Sequence, residues 1–164
     1  MRETKLIEKF VPPEENPFIF QGKLQKMKLV SNNICYGPCP EPDDEIEQRL
    51  TVNAAGRVWY STYCFGAEPG KYQLAQKQVY RIDAEKASKI LSALESYFSQ
   101  DQLMVDATDI GSWDLVLTNT AGATFCYHGA LCSDLVIDDT DISDLIRDAL
   151  GKDDLYAFDG GPDE

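Results

Sequence analysis

The spacing of apolar and polar positions changes several times along the chain, and each change marks an element. From Leu24 to Tyr36, Met27, Leu29 and Ile34 supply the apolar positions of a first strand. Ile46, Leu50 and Val52 then alternate with Glu47, Arg49 and Thr51, the period of a half-buried strand. Asn53-Ala54-Ala55-Gly56 carries turn chemistry, with Gly56 suited to the left-handed position of a type I turn plus bulge. Arg57 to Phe65 returns as the partner strand. Its Val58, Tyr60, Thr62 and Cys64 share one face, and Trp59, Ser61, Tyr63 and Phe65 the other. Both faces are largely apolar, which predicts a strand that is central or covered on both sides. Tyr72 to Ile82 reads as another strand, with Gln and Lys on its exposed face.

The period then lengthens to that of a helix. Asp83 is placed to cap it, and Ala87, Ile90, Leu91, Leu94, Tyr97 and Phe98 fall on one stripe. Leu103 to Val105 is a short connector or strand. A second hairpin follows, Trp113 to Thr118 and Ala123 to Leu131 around Asn119-Thr120-Ala121-Gly122, repeating the Asn-x-Ala-Gly of the first. The flanking residues do not align in register, so this reads as one good turn used twice. A final helix runs from Asp141 to Leu150, with Asp141 and Asp144 in the N-cap and N3 positions and Gly151 as its stop.

Two stretches have other characters. Residues 1–22 read as an arm: Leu6, Ile7, Phe10 and Val11 line one face of a short helix ended by Pro12-Pro13, and Phe18-Ile19-Phe20 docks on the body. Gly37 to Asp44 is a loop, because Pro38, Pro40 and Pro42 cannot join a ladder. The expected architecture is α+β in a single domain of residues 23–164. It has an antiparallel sheet of five or six strands built from hairpins, with two amphipathic helices on one face.

Composition supports a globular reading: 43% of the 164 residues are hydrophobic, enough for a core without metals or disulfides. Five cysteines, an odd number unevenly spaced, point to reduced thiols. With no apolar stretch long enough for a signal peptide or a membrane span, the expected setting is cytoplasmic, with no membrane partner.

Charge changes the picture most. The first hundred residues carry thirteen acids and thirteen bases, whereas Asp101 to Glu164 carry fifteen acids against Arg147 and Lys152 alone. The whole formal charge of −13 therefore sits in the last 64 residues, and no Lys or Arg occurs from Ile90 to Ile146. An acidic chain is repelled by nucleic acid and anionic membrane. No run of the sequence interleaves basic and aromatic residues, so no direct nucleic-acid contact is expected.

Candidate chemistry is sparse. Cys35 and Cys39, with Cys126, His128 and Cys132, contain enough ligands for zinc, but the spacing is not that of a CxxC knuckle and nothing in the sequence joins the two segments. Cys64 and Cys126 read as small buried hydrophobes. His128 stands two residues from Cys126 on a strand, some 6–7 Å away by the strand rise, too far for direct activation of a nucleophile. Asp138-Asp139-Thr140-Asp141 only superficially resembles a calcium loop: Asp144 stands where Gly is needed, and Leu150 where the bidentate Glu belongs. Asp159-Gly160-Gly161 opens no helix and makes no phosphate loop. Neither a catalytic residue nor a cofactor is assigned.

Asp109-Ile-Gly-Ser-Trp113, Gly129-Ala-Leu-Cys132, Asp144-Leu-Ile-Arg147 and Asp153 to Gly160 resemble segments of small acidic proteins of anaerobic bacteria. The resemblance spans residues 50–160 or so and implies a bacterial cytosolic setting, with no activity attached.

The acidic surface remains. A charged face that only keeps the protein soluble is the plainer reading. The sharper one is a non-enzymatic inhibitor, immunity protein or adaptor that docks on a basic macromolecule, such as a nucleic-acid-binding protein. Asp138, Asp139, Asp144, Asp148, Asp153 and Asp154 would imitate the charge spacing of nucleic-acid phosphates. Trp113 and Tyr156, with Tyr127 and Phe158, would be the apolar anchors. The competing readings are a metal-binding enzyme or sensor using the Cys/His set, and a structural module of a larger assembly.

Overall fold

Turn chemistry fixes the two hairpins that dominate the molecule. The computed structural model describes residues 19–34, 39–68, 71–100 and 110–160. The helix at Leu6 to Val11, Cys35 and the segment Leu103 to Val105 lie outside the described residues. The first hairpin is β2 (Glu45–Asn53) and β3 (Arg57–Cys64). The second is β5 (Ser112–Asn119) and β6 (Thr124–Ala130). In both turns the leading Asn carboxamide oxygen accepts two backbone N–H groups: Asn53 from Ala55 (3.1 Å) and Arg57 (3.0 Å), Asn119 from Ala121 and Ala123 (both 3.0 Å). Gly56 and Gly122 take the left-handed position at φ 90° and 88°.

β1 (Leu24–Asn32) and β4 (Gln73–Arg81) complete a six-stranded antiparallel sheet in the order β4-β3-β2-β1-β5-β6. β1 joins the hairpins by pairing with β2 through Leu29↔Leu50 and with β5 through Leu29↔Leu115. β3 is next to the edge, and its outward face is not covered: Trp59 is 36% exposed. Of the two expected alternatives, the interior position holds, since β3 pairs with β2 and β4, and the covering of both faces is corrected. Arg57 and Arg49 lie over the rings of Trp59 and Tyr63 at 5.4 and 4.3 Å, so the rings that made this face look apolar are occupied by guanidinium groups.

α1 (Ala84–Phe98) and α2 (Ile142–Leu150) cover the other face. Met27, Leu29, Leu50, Val52, Val58, Leu115 and Leu117 of the sheet bury against Ile90, Leu94 and Phe98 of α1 and Ile142 and Ile146 of α2. Asp83 stands at the N-cap of α1 but makes no side-chain cap bond, whereas Asp141 caps α2 by accepting from the Asp144 amide (3.1 Å). Gly151 ends α2 in the left-handed conformation. A two-residue ribbon, β7 (Val136–Ile137) with β8 (Thr140–Asp141), precedes α2. Phe20 is buried; its amide donates to the Phe98 carbonyl (2.7 Å) and its ring meets Phe125 edge-on.

After α2 the chain crosses the inner face of the sheet. Gln48 Oε1 of β2 accepts from the Tyr156 amide (2.6 Å), Ser31 Oγ of β1 donates to the Ala157 carbonyl (2.7 Å), and Phe158 meets Trp113 of β5 edge-on at 4.8 Å. This segment closes the part of the core that the helices leave open.

Candidate functional site

Acidic residues from separate parts of the chain converge along this C-terminal segment. Gln48 Nε2 donates both to Glu45 Oε2 (2.7 Å) and to the Asp154 carbonyl (3.1 Å), so the start of β2 and the turn after α2 sit side by side. Tyr156 Oη donates to the Glu45 carbonyl (2.9 Å). The hydroxyls of Tyr156 and Tyr60 are both held well above the usual tyrosine range. Burial is the main cause, and the negative charges of Glu45 and Asp154 come next, with Asp44 adding to Tyr156. Asp43, Asp44, Asp153 and Asp154 are exposed around this point.

A second acidic group lies further along the segment. Carboxylate oxygens of Asp134, Asp141 and Asp159 all fall within 4.8 Å of one another. An all-oxygen trio suits a hard cation such as Ca²⁺. Two of the three already have partners: Asp141 accepts the Asp144 amide, and Asp159 binds the guanidinium of Arg147. That buried guanidinium already supplies a full positive charge to the trio and opposes a metal ion there.

Both basic residues of the acidic half turn inward. Arg147 is 5% exposed; it donates to the Leu155 carbonyl (2.8 Å), the Asp144 carboxylate (2.9 Å), the Tyr156 carbonyl (3.3 Å) and Asp159. Lys152 Nζ donates to Gln78 Oε1 (2.8 Å) and lies 4.5 Å from the centre of the Tyr60 ring. Their charges are thus spent within the fold, while Asp144, Asp153 and Asp154 nearby are exposed.

The acidic residues picked out by sequence divide accordingly. Asp153 and Asp154 are exposed beside Glu45 and Tyr156. Asp144 serves Arg147. Asp138 and Asp139 form the β7–β8 turn with φ 51° and 64°, a left-handed pair that Asp tolerates better than most residues. Asp148 is exposed and lines a cleft with Arg81 and Lys86.

Trp113 is corrected outright as a surface anchor: it is 0% exposed, with Nε1 donating to Ser133 Oγ (3.2 Å). Its ring is accommodated because Gly129 lies opposite; a Cβ there would fall 2.4 Å from Cζ2. Phe158 is likewise core, and Tyr127 packs against Phe98 at 4.3 Å. Tyr156 is partly buried, with its hydroxyl at the acidic end.

The thiols of the described residues form no cluster with His128 or with one another that could hold a metal ion. Cys39, Cys126 and Cys132 are exposed and Cys64 is partly so, which corrects the expectation that Cys64 and Cys126 are buried hydrophobes. His128 lies exposed on β6, its Nδ1 2.7 Å from Asp114 Oδ1. Among the described residues the carboxylate trio alone brings three ligand groups within reach of one ion, and the Cys/His set does not. No helix among them is long and apolar enough to cross a membrane.

Glu45 and Asp44 are what the sequence reading missed. They lie in the charge-neutral first hundred residues, and only the pairing of β2 with the C-terminal segment brings them to the acidic end. Compared with known proteins, the chain matches no family model and no curated relative.

Proposed function

We propose that the protein is a non-enzymatic binding protein, an inhibitor, immunity protein or adaptor whose acidic end docks on a basic macromolecule in the cytoplasm. The observation that supports this reading is the convergence of Asp44, Glu45 and Asp154 around the half-buried Tyr156, with exposed Asp153 next in the chain, while Arg147 and Lys152 face inward. A concentrated negative field steers a basic partner and speeds its association. The Tyr156 ring adds an anchor of the kind that carries interface energy.

Reversal of Asp153 and Asp154 to Lys tests this cleanly. The fold uses the Asp154 main-chain carbonyl, and both residues are exposed, so the variant keeps its structure. Affinity capture from host lysate with quantitative mass spectrometry compares the two forms at low and high salt. The expected result is a protein of high pI enriched roughly tenfold on wild type, about 1.4 kcal/mol of binding, and lost from D153K/D154K and at high salt. A partner retained equally by both forms at both salts would overturn the reading.

A further inference from the structure

The face of the six-stranded sheet turned away from α1 and α2 has a character opposite to the molecule as a whole. Strand alternation places Lys26 and Lys28 of β1, Arg49 of β2, Arg57 of β3, and Lys77 and Arg81 of β4 on it. Two carboxylates share that face, and both have partners. Glu47 accepts from Arg49 (2.6 Å) and Asn32 (3.1 Å), and Asp114 is bonded to His128. Trp59 is 36% exposed and Tyr63 partly so; beside them, Leu74 and Val79 add apolar surface at 56% and 48% exposure.

We propose that this open sheet face is a docking surface for single-stranded RNA. Six cations against two paired carboxylates make the face complementary to a polyanion. The acidic end does not lie on this face: Glu45, at the start of β2, and the Asp154 carbonyl both bond to Gln48, whose side chain is on the buried face of the sheet. Trp59 and Tyr63, each with a guanidinium over its ring, become platforms for unpaired bases when that guanidinium turns to a phosphate. That feature favours single strands over a polypeptide of acidic residues such as polyglutamate, which has no aromatic ring to stack, and over a duplex, whose bases are already stacked.

Hydroxyls between the cations favour ribose. Thr51 lies between Lys28 and Trp59, and Ser61 between Arg49 and Lys77, in the cross-strand rows. Such hydroxyls donate to and accept from a 2′-OH, which DNA lacks. The face is independent of the acidic end, so either surface can fail without the other.

The two tryptophans make the test direct. Trp113 is buried, so quenching of intrinsic fluorescence by a ligand on the sheet reports Trp59. Titration with a labelled oligouridylate of about fifteen nucleotides should raise its anisotropy and quench the protein's fluorescence. If about four phosphates are neutralised, affinity should fall roughly 50-fold between 50 and 200 mM salt. Trp59→Phe should abolish the quench and weaken binding measured by anisotropy. Lys26→Gln with Lys28→Gln and Lys77→Gln should weaken binding at least tenfold with an unchanged circular dichroism spectrum, while D153K/D154K leaves it intact or tighter. Absence of an anisotropy change at low salt overturns the proposal. So does equal affinity for oligothymidylate, for an RNA duplex or for polyglutamate, these outcomes meaning respectively that ribose, single-strandedness or nucleic acid itself is not what is read.

Discussion

Arg147 sets the position of the whole C-terminal segment, and replacing it by Lys isolates what its geometry contributes. The guanidinium reaches two main-chain carbonyls, Leu155 and Tyr156, and two carboxylates, Asp144 and Asp159, from a 5% exposed position. Lysine keeps the charge but presents one nitrogen in place of a planar fork. Set to serve Asp159, it strands the Leu155 and Tyr156 carbonyls, each costing about 1–3 kcal/mol when left unsatisfied, partly offset where water enters. The expected loss for Arg147→Lys is therefore about 3 kcal/mol, or a melting temperature roughly 6–12 °C lower for a domain of this size. Asp144→Asn is the control. Its carboxylate is 70% exposed, so that pair should contribute no more than about 1 kcal/mol. Urea unfolding followed by far-ultraviolet circular dichroism measures both variants. Arg147→Lys within about 0.5 kcal/mol of wild type, or Asp144→Asn as damaging as Arg147→Lys, would refute the assignment of the stability to the buried carbonyl contacts.

Two further outcomes follow from the hairpin turns and the buried phenols. Asn119→Ala should destabilise more than Asn53→Ala, by about 1 kcal/mol beyond the turn contacts they share, because Asn119 is buried and its Nδ2 also donates to the Gln21 carbonyl (2.8 Å); thermal unfolding of the pair of variants checks the order. In alkali, burial raises Tyr127 to about 12 and holds Tyr60 and Tyr156 well above the usual range. A raised folded value favours the neutral phenol, so this stabilisation is complete below pH 10 or so and is lost as pH climbs towards 12. Tyrosinate absorbance should show a late phase that coincides with unfolding, and a single transition near pH 10 with the fold intact would contradict it.

The elements that could be read from sequence are those whose cause is local. Asn53 and Asn119 announce their turns because the carboxamide bonds amides two and four residues on, and Asp141 announces α2 for the same reason. The union of β1 with β5 leaves no local mark, since Leu29 and Leu115 would look alike in any hydrophobic strand. β7 and β8 are two residues each, too short to express a period. Trp113 looked like an anchor because large aromatics serve interfaces as well as cores. The residue that decides between them is Gly129, sixteen positions away, whose missing side chain leaves the room the indole fills.

Charge was misread in the same way, and for a reason that bears on function. Along the chain, a neutral first hundred residues precede a stretch carrying −13, and that division suggests one acidic half. In space the division falls elsewhere. Asp44 and Glu45 leave the neutral part to join Asp153 and Asp154, while Lys26, Lys28, Arg49, Arg57, Lys77 and Arg81 gather on the outer sheet face. A surface shaped only by solubility intersperses its signs, because mixing lowers self-repulsion and avoids large single-sign fields. Here six cations gather on the open sheet face, although Arg81 also lines a cleft with Asp148, and the two basic residues of the acidic half, Arg147 and Lys152, are turned inward. Segregation of this kind costs electrostatic energy in the isolated protein. Partners of opposite charge on the two surfaces would recover it, and that recovery is the common physical basis of the two binding proposals.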